Sequence, residues 1–87
     1  MLLRLLPTQD PEAMETELLR ALNIVKKGPI TVDLNGITFL LPSVIATLVK
    51  MYKICKKNGW DFELINAKDV YHMLELLNLT KVLNITK

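Results

Sequence analysis

Few side chains of this 87-residue sequence could take part in chemistry, and they do not form a recognisable catalytic set. Asp33 could serve as a carboxylate base, but no nucleophile, second base or glycine-rich loop accompanies it. His72 and the single Cys55 together supply too few ligands for a metal site. Ser43 stands at the start of a long apolar segment, where a hydroxyl favours a helix cap or, alternatively, a phosphoacceptor. The sequence therefore predicts a protein that is not an enzyme and needs no metal or cofactor.

The composition indicates one small domain and argues against nucleic-acid binding. Eleven basic and nine acidic residues give a net charge of +2, which is too small to attract nucleic acid by charge alone. The apolar run of residues 2–6 is interrupted by Arg4 and stopped by Pro7, so it is too short for a signal peptide or a membrane span. A single cysteine fits a reducing compartment. We therefore expect a cytoplasmic protein with one domain over residues 1–87 and no direct insertion into a membrane.

Apolar spacing along the chain predicts alternating strands and helices. The predicted strands are residues 2–6, 30–34 and 60–65, each recognised from a short apolar or alternating run. The first helix should begin at Asp10-Pro11 and end before Gly28-Pro29, and the second should run from Pro42 to about Asn58. Such alternation predicts an α/β fold with a small, mostly parallel sheet and crossover helices. With so few strands, we expect one face of the sheet to be covered better than the other.

The last third of the chain predicts a third helix and a short end piece. Asn66 is expected to cap this helix, with Asp69 as a weak capping-box partner. The expected buried face consists of four apolar residues: Val70, Met73, Leu74 and Leu77. Asn78 is a candidate left-handed cap at the end of the helix. Residues 79–85 predict a final strand or a half-turn.

The dipeptide Asn35-Gly36 permits a different structure for the centre of the chain. Asn-Gly between two alternating runs is a strong signal for a two-residue hairpin. Such a hairpin would fold Ile37, Phe39 and Leu41 back against residues 30–34. From the residues alone, this antiparallel alternative to the parallel sheet stays open.

The long second helix carries two apolar stripes at helical spacing. The stripe expected in the core comprises Ile45, Leu48, Val49, Tyr52 and Cys55. The second stripe comprises Val44, Thr47, Met51 and Ile54, and it is too apolar for an ordinary solvated face. It is either covered by the chain's own third helix or exposed for docking. An exposed stripe would also permit a homodimer.

The centre of the chain resembles the STAS family, the domain of anti-sigma factor antagonists and of sulfate transporter tails. The resemblance is carried by Val32-Asp33-Leu34, then Gly36-Ile37-Thr38-Phe39-Leu40, then Leu41-Pro42-Ser43-Val44-Ile45. It continues through Leu64-Ile65-Asn66 and then from Val70 through Leu74 to Asn78-Leu79, and it covers most of residues 30–80. The resemblance implies that residues 37–41 pass along the sheet and lead into the helix, with no hairpin. It also implies that the first strand of the family is missing from this chain.

The departures from the family pattern concern the phosphorylation site of its regulatory members. There, an aspartate precedes a serine that a partner kinase phosphorylates at the start of the helix. These positions correspond to Leu41 and Pro42, so the usual switch cannot operate at that residue. Ser43 retains a neighbouring hydroxyl, and Val44 replaces a small glycine.

The resemblance implies a non-enzymatic regulatory module that binds another protein. The expected binding residues are Pro42, Ser43, Val44, Thr47, Met51 and Ile54. The expected partner is an anti-sigma factor or a kinase-like protein, and binding would lack the usual serine switch. The alternative is a STAS-type accessory subunit of an ABC transport complex, which would bind the ATPase of a membrane transporter.

Overall fold

The computed structural model describes residues 1–6 and 10–87, in which strands and helices alternate along the chain. The strands are β1 (Leu2–Arg4), β2 (Ile30–Asp33) and β3 (Phe62–Ile65). The helices are α1 (Pro11–Ile24), α2 (Pro42–Asn58) and α3 (Tyr71–Leu76), followed by a 3₁₀ turn at Leu79–Lys81. The predicted α/β fold is confirmed. The predicted stop of the first strand at Pro7 lies outside the described residues.

The three strands form one parallel sheet in the order β1-β2-β3. Because the spatial order follows the chain order, crossovers of one hand place α1 and α2 on the same face of the sheet. The two helices pack against each other there. The in-register residues Leu3, Val32 and Leu64 point toward them, and Val32 and Leu64 are fully buried.

No helix of the described residues covers the second face of the sheet. Successive side chains along a strand point to opposite faces of the sheet. The residues that flank Leu3, Val32 and Leu64 in their strands therefore point to this second face. In the described residues these are Leu2, Arg4, Thr31, Asp33, Glu63 and Ile65. The Thr31 hydroxyl donates to Glu63 Oε1 across this face at 3.4 Å. The expectation of unequal coverage is confirmed for the part of the chain that the structure describes.

The ends of α1 and α2 follow the sequence signals closely. Oδ1 of Asp10 accepts a hydrogen bond of 2.7 Å from the Ala13 backbone N–H, as a helix cap does. α1 ends at Ile24, four residues before Gly28, because Val25 already has extended backbone angles. α2 ends at Asn58, and Gly59 adopts the left-handed conformation with φ 72°, which costs glycine little.

The hairpin alternative is wrong. Residues 37–41 belong to no strand, and both edges of β2 are already occupied by β1 and β3. Asn35 and Gly36 instead form a turn, which the backbone N–H of Ile37 closes by donating to the Leu34 carbonyl at 3.0 Å.

The third helix is shorter than predicted, and Asn66 does not cap it. Asn66 has a positive φ of 54°, and α3 begins only at Tyr71, without a side-chain cap. Val70 and Leu74 are buried as expected, but Leu77 lies beyond the helix and is 53% exposed. Asn78 adopts the predicted left-handed conformation with φ 60°.

The end of the chain lies along the outer edge of β3. The Leu64 N–H donates to the Asn84 carbonyl at 2.8 Å, and the Thr86 N–H donates to the Leu64 carbonyl at 2.9 Å. Leu64 and Ile85 therefore form an isolated parallel bridge. Both alternatives predicted for this segment occur, since the 3₁₀ turn precedes a strand-like piece.

Candidate functional site

The segment between β2 and α2 holds an aromatic side chain out toward solvent. Ile37 and Leu40 are only 2% and 1% exposed and anchor the segment in the core. Between these anchors, Phe39 is 60% exposed. We name the four exposed residues here, Thr38, Phe39, Pro42 and Ser43, the junction surface.

The helix that follows this segment begins without a side-chain cap. Leu41 occupies the cap position, and the backbone N–H groups of Val44 and Ile45 both donate to its carbonyl at 3.0 Å. Pro42 is the first helical residue, where a missing N–H costs nothing. The Ser43 hydroxyl makes no hydrogen bond with any residue that the structure describes. The prediction that Ser43 caps the helix is therefore wrong, and Ser43 is exposed.

The predicted docking stripe on α2 is mostly inside the molecule. Val44, Thr47 and Met51 are 1%, 6% and 0% exposed, so they cannot form a docking surface in the folded monomer. The Thr47 hydroxyl is satisfied locally, because it donates to the Ser43 carbonyl at 3.0 Å. Ile54 is half-buried. Of the six predicted binding residues, the structure leaves only Pro42 and Ser43 exposed.

This correction has a simple geometric cause. α2 packs against both α1 and the sheet, so it buries a face wide enough to take parts of both predicted stripes. The buried line runs through Val44, Thr47, Leu48, Met51 and Cys55. In the stripe that was expected to be core, Ile45, Val49 and Tyr52 are only half-buried.

A second polar feature lies where the three strands end. Asp33, the last residue of β2, accepts hydrogen bonds from Asn35 N–H at 2.9 Å and from the Asn66 side-chain amide at 3.0 Å, both on Oδ1. Its Oδ2 atom accepts from Arg4 Nε at 3.3 Å. The carboxylate thus connects residues at or just beyond the ends of all three strands.

These contacts decide what Asp33 can do. The hydrogen bond from Asn66 chiefly lowers its pKa, the Asn35 N–H adds to this, and Arg4 lowers it further, against the opposing effect of burial. A carboxylate held ionised with both oxygens engaged is a structural tie and a poor proton acceptor. Sequence reasoning missed the role of Asn66. The available signal was that polar residues follow the same end of consecutive parallel strands.

The remaining candidates for chemistry are not brought together. His72 is exposed, with its Nδ1 atom 3.7 Å from Glu75 Oε1. Cys55 is buried, and desolvation raises the pKa of its thiol, which makes it a poor nucleophile. Within residues 1–6 and 10–87, no group of three histidine, cysteine or acidic side chains is placed to hold a metal ion. None of the helices in the same ranges combines the length and hydropathy of a membrane span.

Comparison with known protein families completes this picture. A family model described as "Mlab, STAS domain" matches residues 7–85, which is nearly the whole chain. The chain belongs to the STAS domain family. No curated protein matches it with significant similarity.

Membership of the STAS family gives the parallel sheet and its helices a functional class. STAS domains are generally regulatory or binding modules without enzymatic activity. Pro42, at which the sequence resemblance implied the family's phosphorylated position, is exposed at the edge of the junction surface. The exposed residues nearest to it are Phe39 and Ser43.

Proposed function

We propose that this STAS domain is a non-enzymatic regulatory module that binds a partner protein through the junction surface. Thr38, Phe39, Pro42 and Ser43 would make the contacts. The surface lies at the carboxyl end of the strands, the side of an open α/β sheet where binding sites commonly occur.

The exposure of Phe39 is the observation that carries this proposal. A phenylalanine that is 60% exposed leaves much of its apolar surface in water, which burial in an interface would recover. The buried side chains of Ile37 and Leu40 fix the backbone on both sides, so little conformational entropy would be lost on binding. Aromatic residues, phenylalanine among them, are enriched at the cores of protein–protein interfaces.

Pro42 supports a junction surface that is always available for binding, with no phosphorylation switch at this position. Proline has no hydroxyl, so the serine phosphorylation that switches regulatory STAS domains cannot occur at this position. The contact would therefore be constitutive, unless a kinase modified the free hydroxyl of Ser43. A phosphate there would bring about two negative charges beside Phe39 and would oppose an apolar contact.

The proposed partner is an anti-sigma factor or a related kinase-like protein, as the resemblance to anti-sigma factor antagonists implies. The second candidate partner is the ATPase of a membrane transport complex. The replacement of the phosphoacceptor by Pro42 favours this second candidate, because a permanent subunit needs no release switch.

The test is capture of the partner from native cells with the wild-type chain and with Phe39→Asp as bait. Leu76→Asp is the matched control, because Leu76 is 71% exposed and lies on α3, which contributes no residue to the junction surface. We expect Phe39→Asp to lose the partner and Leu76→Asp to retain it. Mass spectrometry of the captured protein then identifies it as kinase-like or as a transporter ATPase.

Binding that survives in Phe39→Asp would overturn the proposed site. Thermal unfolding of both variants should match the wild-type chain, since both residues are exposed. If Phe39→Asp were less stable than Leu76→Asp, the milder Phe39→Ser would replace it in the same capture.

A further inference from the structure

The solvent-facing side of α2 carries a row of basic side chains that starts beside the junction surface. Exposed residues recur there at three- and four-residue spacing, which places them along one side of the helix: Ser43, Ala46, Lys50, Lys53 and Lys57. At 1.5 Å of rise per residue, this line is about 21 Å long. The helix contains no acidic residue. We name Lys50, Lys53 and Lys57 the lysine row.

The lysine row is not neutralised within the part of the chain that the structure describes. None of its three side chains makes an ion pair there. Lysines three and four residues apart on a helix repel each other, whereas a glutamate in the row would have formed stabilising pairs. The row therefore carries an uncompensated repulsion in the free chain, which carboxylates of another molecule would relieve.

We propose that the partner bound at the junction surface also places an acidic segment along the lysine row. This inference rests on the proposed function, because it adds a charged region to the interface with the same partner. Phe39 would make the apolar contact, and the three lysines would meet a row of aspartate or glutamate side chains. Such charge complementarity mainly speeds association and selects among partners.

The neighbouring helix favours a protein segment over a membrane or a nucleic acid as the occupant. α1 packs beside α2 on the same face of the sheet, and its charged residues are Glu12, Glu15, Glu17 and Arg20. A broad anionic surface laid on this face would bring its charge against these glutamates. The net charge of +2 also gives little long-range attraction to such a surface. A single segment that follows α2 meets the lysines alone.

Charge reversal in the lysine row tests the proposal, with the partner that the wild-type chain captures, once purified, as the probe. Lys50→Glu/Lys53→Glu should weaken its binding at least roughly thirtyfold, because two attractions become repulsions. The neutral Lys50→Gln/Lys53→Gln should weaken it by only about three- to tenfold. The control is Lys26→Glu/Lys81→Glu, which changes the net charge equally at exposed positions outside α2. Its binding should stay within about twofold of wild type.

Salt dependence and chemical coupling locate the contact. Raising the salt to about 1 M, where charges are screened beyond roughly 3 Å, should weaken wild-type binding more than that of the neutral variant. Carbodiimide joins a lysine amine to a carboxylate that touches it. We expect mass spectrometry to find the lysine row coupled to aspartate or glutamate residues of the partner. Coupling of the row to a second copy of this chain, or to no residue of the partner, would overturn the proposal.

The outcomes separate this inference from the proposed function. If Phe39→Asp loses the partner while Lys50→Glu/Lys53→Glu binds it like wild type, the junction surface stands and the acidic segment is excluded. If both variants bind like wild type, both proposals fail. Vesicles of equal parts phosphatidylcholine and phosphatidylglycerol test the lipid alternative. Binding of the wild-type chain to these vesicles that Lys50→Glu/Lys53→Glu abolishes would assign the lysine row to a membrane and overturn the proposal.

Discussion

The side-chain amide of Asn66 donates a hydrogen bond of 3.0 Å to Oδ1 of Asp33. Asn66 directly follows β3, whereas Asp33 ends β2, and Arg4 of β1 reaches the other carboxylate oxygen. The N–H of Asn35, which begins the turn toward Phe39, donates to Oδ1 as well. One carboxylate therefore ties together the ends of three strands and the start of the segment that presents the junction surface.

Replacing this carboxylate should destabilise the fold. Asp33→Asn keeps the shape of the side chain but removes its charge and one acceptor oxygen, so we expect the free energy of unfolding to fall by about 2 kcal/mol. Urea denaturation followed by circular dichroism measures this change. Asp61→Asn is the control, because Asp61 is exposed and should change stability by less than about 0.5 kcal/mol.

The same carboxylate should give the protein a pH-dependent stability. The pKa of Asp33 is lower in the folded chain than in the unfolded chain. Its contribution is therefore fully present above the unfolded pKa of about 4 and is lost as the pH falls through the lower folded pKa. Unfolding curves measured from neutral pH to acid should show the difference between wild-type and Asp33→Asn chains shrinking below about pH 4. A difference that stays constant would contradict this assignment.

Met51 should behave as a core residue. Its side chain is fully buried, so Met51→Ala should lower the free energy of unfolding by about 3 kcal/mol through lost contacts and a cavity. Ile54→Ala, at a half-buried position on the same helix, should cost less. Denaturant titration of both variants measures the difference. Equal and small losses of stability in both variants would instead indicate that the stripe of Val44, Thr47, Met51 and Ile54 is a surface.

Ser43 should contribute little to the stability of α2. Its hydroxyl caps nothing, so Ser43→Ala should change the free energy of unfolding by less than about 0.5 kcal/mol, whereas a true cap would cost about 1 kcal/mol. Ser43→Asp should stabilise the helix by about 0.3–1 kcal/mol, because the first turn contains no acidic residue. Thermal unfolding at low salt checks both values, and a clear loss in Ser43→Ala would count against a free hydroxyl.

Gly28 should tolerate no side chain, because Trp60 packs directly against it. A Cβ atom added at Gly28 would lie 2.5 Å from Cβ of Trp60, so the indole or the backbone would have to move. We expect Gly28→Ala to cost about 1–3 kcal/mol and to shift the fluorescence of this single tryptophan. Gly59→Ala meets no neighbouring atom but has φ 72°, so it should lose stability without a spectral shift.

Much of the fold was predictable because its signals are local. Asp10-Pro11, Pro42 and Asn58-Gly59 marked helix ends that depend on the backbone preferences of a few adjacent residues. The hairpin signal of Asn35-Gly36 was also local, so it contained no information about the strands that pair with β2. In the structure, β1 and β3 occupy both edges of β2, and no edge is left for a hairpin partner.

The candidate site was less predictable because it depends on contacts between distant elements. Two apolar stripes on α2 could not reveal how far the helix is rotated, so Val44 and Met51 were placed at the surface and proved to be buried. Phe39 stands out only once Ile37 and Leu40 are known to point inward on either side of it. Asn66 resembled a helix cap because its bond partner, Asp33, is 33 residues away in the chain.

Residues 84–86 cover one edge of the sheet. Residues 84–86 occupy the outer side of β3 through hydrogen bonds from Leu64 and Thr86. A chain shortened before Asn84 would leave β3 as well as β1 unpaired, and strands could then add at both sides of every sheet. Two different open edges permit head-to-tail growth without closure, so such a truncation should make the protein prone to fibre formation.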